Sequence, residues 1–399
     1  MPSNPVIAAG IDCGSARTRV VFLQLEGSRV AYLSHGEAQA AGWSKGRVSD
    51  PKAIAKSTRE AVEAAERRCG LGAEAGVAGL GGGSIDGATT RGRYELGRRR
   101  TVTREDLVYA IERASRLRLE DDRLILMVMP QDFTVDGRAG FLNPHGAQAA
   151  RLEANVQVIT ASLQEHECIV AAVHESHLAI EETVFEAVAA AYAAVLPEER
   201  ERGIVLADIG EHSTEVVIYS SDALMGCSSV PIGGYHFTSD VALCLNLAFE
   251  DAQRLKEEYG CARLGLVNDR NRIEIPVPEG RPLREASRGE LNEILEARCE
   301  ELFQFVRAEV EQAGMERQLL EGAILTGGGA LLPGVLDVAE ATLQCPARNG
   351  LPVGIRGLPD ELMSPAWTTA TGLAMYSARL KAYRQGRAHP PGFLNLILR

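Results

Sequence analysis

Asp12, Gly14 and Ser15 sit at a bend between two apolar runs, AAGIDCGSARTRVVFLQ over 8–24, and Asp208, Gly210, Ser213 and Thr214 sit at a second such bend, GIVLADIGEHSTEVVIY over 203–219. The flanking runs predict strands, so each bend is the mouth of a hairpin. These residue types suit an anion and a hydrated cation: backbone N–H groups and hydroxyls can cradle the first, and a carboxylate can hold the second through water. Arg17 adds positive charge beside the first bend. Alone, a D-x-G bend says little, since most are plain hairpins. A third piece follows late in the chain, where a strand over 323–326 runs into Gly327, Gly328 and Gly329 and then into a helical pattern.

Two D-x-G hairpins followed by strand, GGG and helix, in that order, resemble the actin-like ATPase superfamily. The resemblance implies an α/β, ribonuclease H-like duplicated two-domain fold. In it the hairpins grip the phosphates of ATP from opposite domains, and the late glycine turn lies against the adenosine. Carried over residue by residue, nucleotide contacts fall to Asp12, Gly14, Ser15, Arg17, Asp208, Gly210, Ser213, Thr214, Gly327, Gly328 and Gly329, with Asp12 and Asp208 arranging Mg²⁺ through water.

Composition bounds the alternatives. A chain of 399 residues is too long for one core, and 45% apolar with 24% charged residues describes a folded globular protein and not a disordered one. A net charge of −12, with only a short basic knot at Arg98, Arg99 and Arg100, excludes a general nucleic-acid binder. No two of the eight cysteines stand at C-x-x-C spacing, so neither a zinc site nor a redox motif is readable, and buried thiols of a reducing cytoplasm are expected. The first apolar stretch is short and interrupted by Asp12, which makes it a strand and not a signal peptide, and no run reaches spanning length. His166, His174 and His177 fall around a strand end and a helix start without a set of acidic partners, so no metal site is read there.

In chain order, Asp50 and Pro51 open a helix as cap and first-turn proline, with Ile54, Thr58, Ala61, Val62, Ala65 and Cys69 on one face. A strand over 76–80 meets Gly81, Gly82, Gly83 and Ser84, which lack a Walker Lys-Ser/Thr ending and read as a tight domain crossover. Thr103 and Asp106 form a capping box for a helix carrying Leu107, Ala110, Ile111, Ala114 and Leu117, and strands over 124–129 and 152–160 follow. A strand over 168–173, an Ala-rich helix over 176–196, a helix over 250–259 and a long helix over 284–314 complete the pattern. The last should turn Leu291, Ile294, Leu295, Leu302, Phe305, Val306 and Val310 inward.

Pro130, Phe133, Val135, Asp136, Gly137, Gly140, Pro144, Gly146, Leu152 and Glu153 match the wording of the subdomain inserted in the FtsA family of bacterial division proteins. VPIGGYHFTSDVA over 230–242, TGGGALLPG over 326–334 and PAWTTATGLAMY over 365–376 are similar to later stretches of that family, so the resemblance covers about 6–380. It divides the chain into a first domain (1–83, resuming at 163–203), an α+β insert (84–162), a second-domain core (204–235 and 321–380, ending in a closing helix), an outer lobe (236–320), a linker (381–392) and a tail (393–399). Related ATPases often read A-E-x-x-K in the outer lobe and use the acid and the lysine near ribose and base. Here Ala252, Gln253 and Lys256 keep the lysine but carry an amide for the acid. The family's outer lobe receives the C-terminal tail of the tubulin-like protein FtsZ, which makes Arg288 and Arg298 candidates for an acidic peptide. The insert is expected as a compact unit on the side of the first domain that contacts other divisome proteins.

In the tail, Phe393, Leu396 and Ile397 fall at helical spacing with Leu394 and Leu398 widening the stripe. Pro390, Pro391 and Gly392 detach it, and Lys381, Arg384, Arg387 and Arg399 place positive charge beside it, as an anchor on anionic lipid requires. The chain departs from its relatives at the second hairpin, where D-I-G-G-G-T-T-D is usual and Glu211 and His212 replace two glycines. A carboxylate and an imidazole there must point away from the phosphates or oppose them, so weak or hydrolysis-poor ATP binding is expected. The first hairpin has Ser15, Ala16 and Arg17 where Thr, Ser and Lys are common. The resemblance thus implies an FtsA-like adaptor, at most a weak ATPase, that binds ATP, assembles with itself into filaments and tethers FtsZ to the inner face of the cytoplasmic membrane as a peripheral protein. PilM, a pilus-assembly relative carrying the same insert, is the alternative. An actin-fold metabolite kinase would need a substrate base beside the γ-phosphate, and no such signature is read.

Overall fold

The computed structural model describes residues 6–27, 29–275, 284–315 and 317–386. The first domain opens with β1 (Ile7–Cys13), β2 (Arg17–Glu26), β3 (Arg29–Gln39), a small hairpin of β4 (Trp43–Ser44) and β5 (Arg47–Val48), α1 (Pro51–Cys69) and β6 (Ala75–Leu80). The insert follows as β7 (Asp86–Thr101), α2 (Arg104–Ala114), β8 (Arg123–Val135), β9 (Arg138–Phe141) and β10 (Gln148–Ser162). The first domain resumes with α3 (Leu163–Glu175), β11 (Ala179–Phe185), α4 (Glu186–Ala194) and α5 (Pro197–Arg202). The second domain starts with β12 (Ile204–Ile209), β13 (Thr214–Ser220) and β14 (Ala223–Val230), and its outer lobe holds α6 (Gly234–Leu245), α7 (Phe249–Tyr259), β15 (Arg272–Ile275), β16 (Arg284–Ser287) and α8 (Arg288–Gln312). Its core closes with β17 (Gly322–Thr326), α9 (Val335–Leu343) and β18 (Ala347–Asn349), before β19 (Ile355–Arg356) and α10 (Thr368–Arg384) return to the first domain.

One topology occurs twice. The first sheet runs β11-β6-β1-β2-β3-β19 and the second runs β18-β17-β12-β13-β14. In each, an antiparallel meander is extended on the far side of its first strand by two parallel strands. β12 is buried along its whole length, which is why it reads as a continuous apolar run. The hairpin mouths 13–17 and 209–214 therefore emerge at corresponding ends of the two sheets. α10 lies across β1, β2 and α4, tying the C-terminal segment to the first domain. Gly10 permits this, since a Cβ there would lie 2.2 Å from Ala374 N and 2.4 Å from Ala370 O.

In the insert, α2 packs Leu107, Ala110, Ile111 and Ala114 on a four-stranded sheet ordered β7-β10-β8-β9. Thr103 and Asp106 make the expected capping box, and Arg100 donates to both Asp106 oxygens at 2.6 and 2.7 Å, holding that carboxyl down at about 2. The insert does not stand on the first domain alone. Its sheet also abuts β14 of the second domain, where the buried Gln131 amide donates to Leu224 O at 2.9 Å and Met225 O at 3.3 Å.

Several sequence expectations change. Residues 168–173 are helical: Cys168, Ile169, Ala172 and Val173 bury one face of α3, and Ser162 accepts from Glu165 N at its start. The Ala-rich helix expected over 176–196 is split, because Ile180, Thr183 and Val184 pair as β11 alongside β6 before α4 begins at Glu186. α8 starts at Arg288 under a Ser287–Glu290 capping box, and it buries Phe303 while Phe305 is exposed. The helix α10 runs to Arg384, so the linker starts later than Lys381. Lys381 and Arg384 both pair with Glu181, at 3.4 and 3.0 Å, which engages two of the four charges expected beside a lipid surface; Arg387 and Arg399 lie outside the described residues. Cys244 is exposed and Cys69 and Cys345 are half-buried, so the thiols are not all interior. His166 and His174 lie on α3 itself. The tail residues Phe393, Leu394, Leu396, Ile397 and Leu398 lie outside the described residues.

Candidate functional site

A cleft of about 860 Å³ opens between the two hairpin mouths. Asp12, Gly14, Ser15 and Arg17 line it from the first domain, and Asp208, Gly210, Ser213, Gln253, Lys256, Gly327, Gly328 and Gly329 from the second. Thr214 does not face it. That side chain is fully buried and its hydroxyl donates to Ile232 O at 2.7 Å, because the pleat alternates and places it on the core side of β13.

Four carboxylates form the floor. Asp12 and Asp208 are the penultimate residues of β1 and β12, both under 10% exposed. Burial pushes Asp12 up to about 7, helped by the charge of Asp208 and opposed by Arg19. Asp208 is likewise raised by burial, while Thr369 Oγ1, at the start of α10, donates to its Oδ2 at 2.5 Å. Glu215 is pushed up to about 7, first by burial and then by Asp208. It accepts from Gly82 N at 2.8 Å and Ser213 Oγ at 2.7 Å, so the expected crossover loop reaches across to the second hairpin. Glu186, first residue of α4, is driven well up by burial, then by Asp12 and Glu215. Sequence reasoning passed over Glu186 and Glu215. Glu215 carried a signal as the final acid of its motif, and Glu186 was hidden inside the over-long Ala-rich helix.

Glu211 and His212 take different directions. His212 Nδ1 lies 3.1 Å from Ser15 Oγ, a direct bond between the two hairpins. Its ring stacks on Tyr235 at 4.9 Å, and Tyr235 stacks on Phe249 at 5.0 Å. Burial lowers its pKa, which favours the neutral imidazole. Glu211 turns toward α7, where burial raises its carboxyl and the nearby Lys256 charge lowers it. Lys256 donates to Gly234 O at 3.0 Å. Gln253 accepts from Thr238 Oγ1 and donates to Glu257.

The cleft fits a nucleoside polyphosphate with a divalent cation. Its volume suits a ligand of that size, its rims are hairpin turns with backbone donors, and its floor holds carboxylates that a hydrated cation would relieve. Among the described residues no three His, Cys, Asp or Glu side chains are placed to ligate a metal directly. Arg298, in contrast, is already engaged by Asp240 at 2.5 and 3.0 Å and by Glu301, and Arg288 Nε donates to Tyr259 O at 2.7 Å. An incoming peptide carboxylate would have to displace Asp240 or Glu301 from Arg298.

Residues 205–372 match the family described as cell division protein FtsA, and residues 82–160 match the SHS2 domain inserted in it. The chain is 31% identical over 373 residues to the cell division protein FtsA of Borreliella burgdorferi, covering 93% of this chain and 90% of that one. It is 29% identical over 378 residues to FtsA of Escherichia coli strain K12, covering 93% and 90%. Among solved structures it resembles the PilM-PilN type IV pilus biogenesis complex, with TM-score 0.67 and 18% identity over 93% of this chain and 98% of the other. It also resembles MreB5 of Spiroplasma citri bound to ADP, with TM-score 0.57 and 13% identity over 95% and 98%. The structures show the actin-like fold, and the relative 31% identical over nine tenths of both chains, with matches to both the family and its inserted domain, shows the family: the chain belongs to the FtsA family of cell division proteins.

Proposed function

We propose that this chain is a division adaptor that binds ATP between its two hairpins, assembles with itself, receives the C-terminal tail of FtsZ on its outer lobe and holds it at the inner face of the cytoplasmic membrane. The observation that carries the nucleotide half is the cleft itself, where Ser15 and His212 from opposite domains meet above a floor of four carboxylates. Gly14, Ser15, Gly210 and Ser213 would contact the phosphates, Arg17 would add charge at the mouth, and Gly327 to Gly329 would face the adenosine. Asp12 and Asp208 would hold Mg²⁺ through water, and that cation would supply neutralisation of the phosphates and of the floor. Glu186 lines the cleft with a carboxyl whose pKa burial and its acidic neighbours raise. In its ionised form, reached once a bound cation offsets those neighbouring charges, it would be the base that takes a proton from water in any hydrolysis. Turnover should be slow, because Asp208 is already satisfied by Thr369 and His212 closes the gap between the hairpins.

Family membership supports the partner half, since relatives alike over nine tenths of the chain are cell division proteins. Of the two cations assigned to an acidic peptide, Arg288 is the better, Arg298 being held by two carboxylates. Divisome contacts fall to the insert and membrane attachment to the tail. Among the described residues no helix is long and apolar enough to cross a membrane; the tail is the proposed anchor on its apolar spacing alone. Titration with the FtsZ C-terminal peptide and, in parallel, an N-terminal PilN peptide tests the partner. Binding of the PilN peptide alone would move the protein to pilus assembly.

A further inference from the structure

Two departures from the motifs that the resemblance implies fall near one place: Glu211 stands where a glycine is expected in the second hairpin, and Gln253 where A-E-x-x-K has its acid, on α7. The fold brings the two together. A side chain built on Gly234 would lie 3.2 Å from Glu211 Oε2 and 3.7 Å from Lys256 Nζ, so both groups reach the same spot on the cleft wall. Gln253 cannot serve there as a carboxylate would, since its Oε1 accepts from Thr238 and its Nε2 donates to Glu257. Glu211 is fixed from behind, its carbonyl accepting from Tyr235 N at 2.7 Å and that of Gly210 from Gly234 N at 2.9 Å.

We propose that Glu211 supplies the carboxylate acceptor for the ribose hydroxyls of the bound nucleotide, standing beside Lys256 in place of the acid that Gln253 has lost. This rests on the nucleotide reading above. A vicinal diol offers two hydrogens, and an ionised carboxylate accepts both in charge-assisted bonds. The Lys256 charge opposes the burial that raises the pKa of that carboxyl. The glutamate that looks like an obstacle to phosphate is a sugar contact, and the cleft should distinguish ribonucleotides from deoxynucleotides.

The test is calorimetric titration of Mg²⁺ with ATP, 2′-deoxy-ATP or 3′-deoxy-ATP into wild type, Glu211→Ala and the swap Glu211→Gly/Gln253→Glu, with melting curves of each protein as a check on folding. Wild type should bind ATP about 10- to 100-fold more tightly than either deoxy analogue, the range expected for a hydrogen bond to a charged group. Glu211→Ala should weaken ATP and bring all three ligands within about 3-fold of one another, and the swap should restore the preference. Equal binding of ATP and both analogues by wild type, or tighter ATP binding by Glu211→Ala, overturns the sugar contact and leaves the nucleotide reading intact. No binding of ATP by wild type overturns both.

Discussion

The floor of the cleft should make the protein less stable as the solution becomes less acidic, until a divalent cation is added. Asp12 has a folded pKa of about 7 against an ordinary 3.8, chiefly through burial. The native state therefore holds a proton that the unfolded chain releases between about pH 4 and pH 7. Stability from this group is highest below that window, falls as pH rises through it and is flat above. Three units correspond to about 4 kcal/mol, of which roughly 3 fall between pH 5 and pH 8. Water entering the cleft will reduce this, so a loss of about 1–3 kcal/mol is expected, or roughly 2–6 °C in melting temperature for a chain of this length. Glu215 adds the same sign, whereas His35, His166, His212 and His236, whose pKa values burial lowers, contribute the opposite slope. The difference between wild type and Asp12→Asn isolates the aspartate. Thermal melts of both in chelator at pH 5 and pH 8 should show Asp12→Asn gaining on wild type as pH rises, and millimolar Mg²⁺ should close that gap at pH 8. A gap that is constant across pH would show that Asp12 is ionised throughout and refute the electrostatic account of the floor.

Other expectations follow from single contacts. His212→Gly removes a bond to Ser15 that phosphate must break, a net of about 0.5–1.5 kcal/mol, so calorimetry should find ATP binding about 2- to 10-fold tighter, and unchanged or weaker binding would contradict this. Gln131→Leu leaves the carbonyls of Leu224 and Met225 without their donor and should cost about 1–3 kcal/mol in denaturant unfolding, a cost that a free-standing insert would not show. Leu396→Glu should abolish co-sedimentation with anionic vesicles, and equal sedimentation of the variant would remove the tail as anchor.

Much of this site was readable because it depends on local chemistry. The Asp12 and Asp208 hairpins, the glycine turn at 327–329 and the insert wording over 130–153 each announce themselves within a few residues, and each lies where its motif places it. What escaped reading depends on partners distant in the chain. Residues 179–185 form a strand because β6 offers a parallel edge, and without that edge the alanines that follow read as one helix; Glu186 vanished into it. Residues 168–173 have the β-branched content of a strand, but the Ser162 cap and a one-sided buried face make them helical. Arg298 looked free on its helix because Asp240 lies 58 positions earlier. The approach of Glu211 and Lys256 to the same spot beside Gly234 was likewise invisible in the sequence.

The imidazole of His212 occupies space that the facing turn leaves open. Gly46, at the turn between β4 and β5 of the first domain, has φ +71°, and a Cβ there would sit 2.8 Å from His212 Cβ. The freedom given up in the second hairpin is matched by a glycine on the facing turn, so the two positions should be energetically coupled across the cleft. Gly46→Ala should carry two penalties: about 1–2 kcal/mol for an L-residue in the left-handed region, and a steric one that forces His212 off Ser15 and Tyr235. In a His212→Gly background only the first penalty remains. A double-mutant cycle by thermal unfolding should therefore give a coupling of about 0.5–3 kcal/mol, with Gly46→Ala milder when His212 is absent. Additive effects would mean that the β4–β5 turn moves aside at no cost, and that the imidazole is not held in place by the opposite domain.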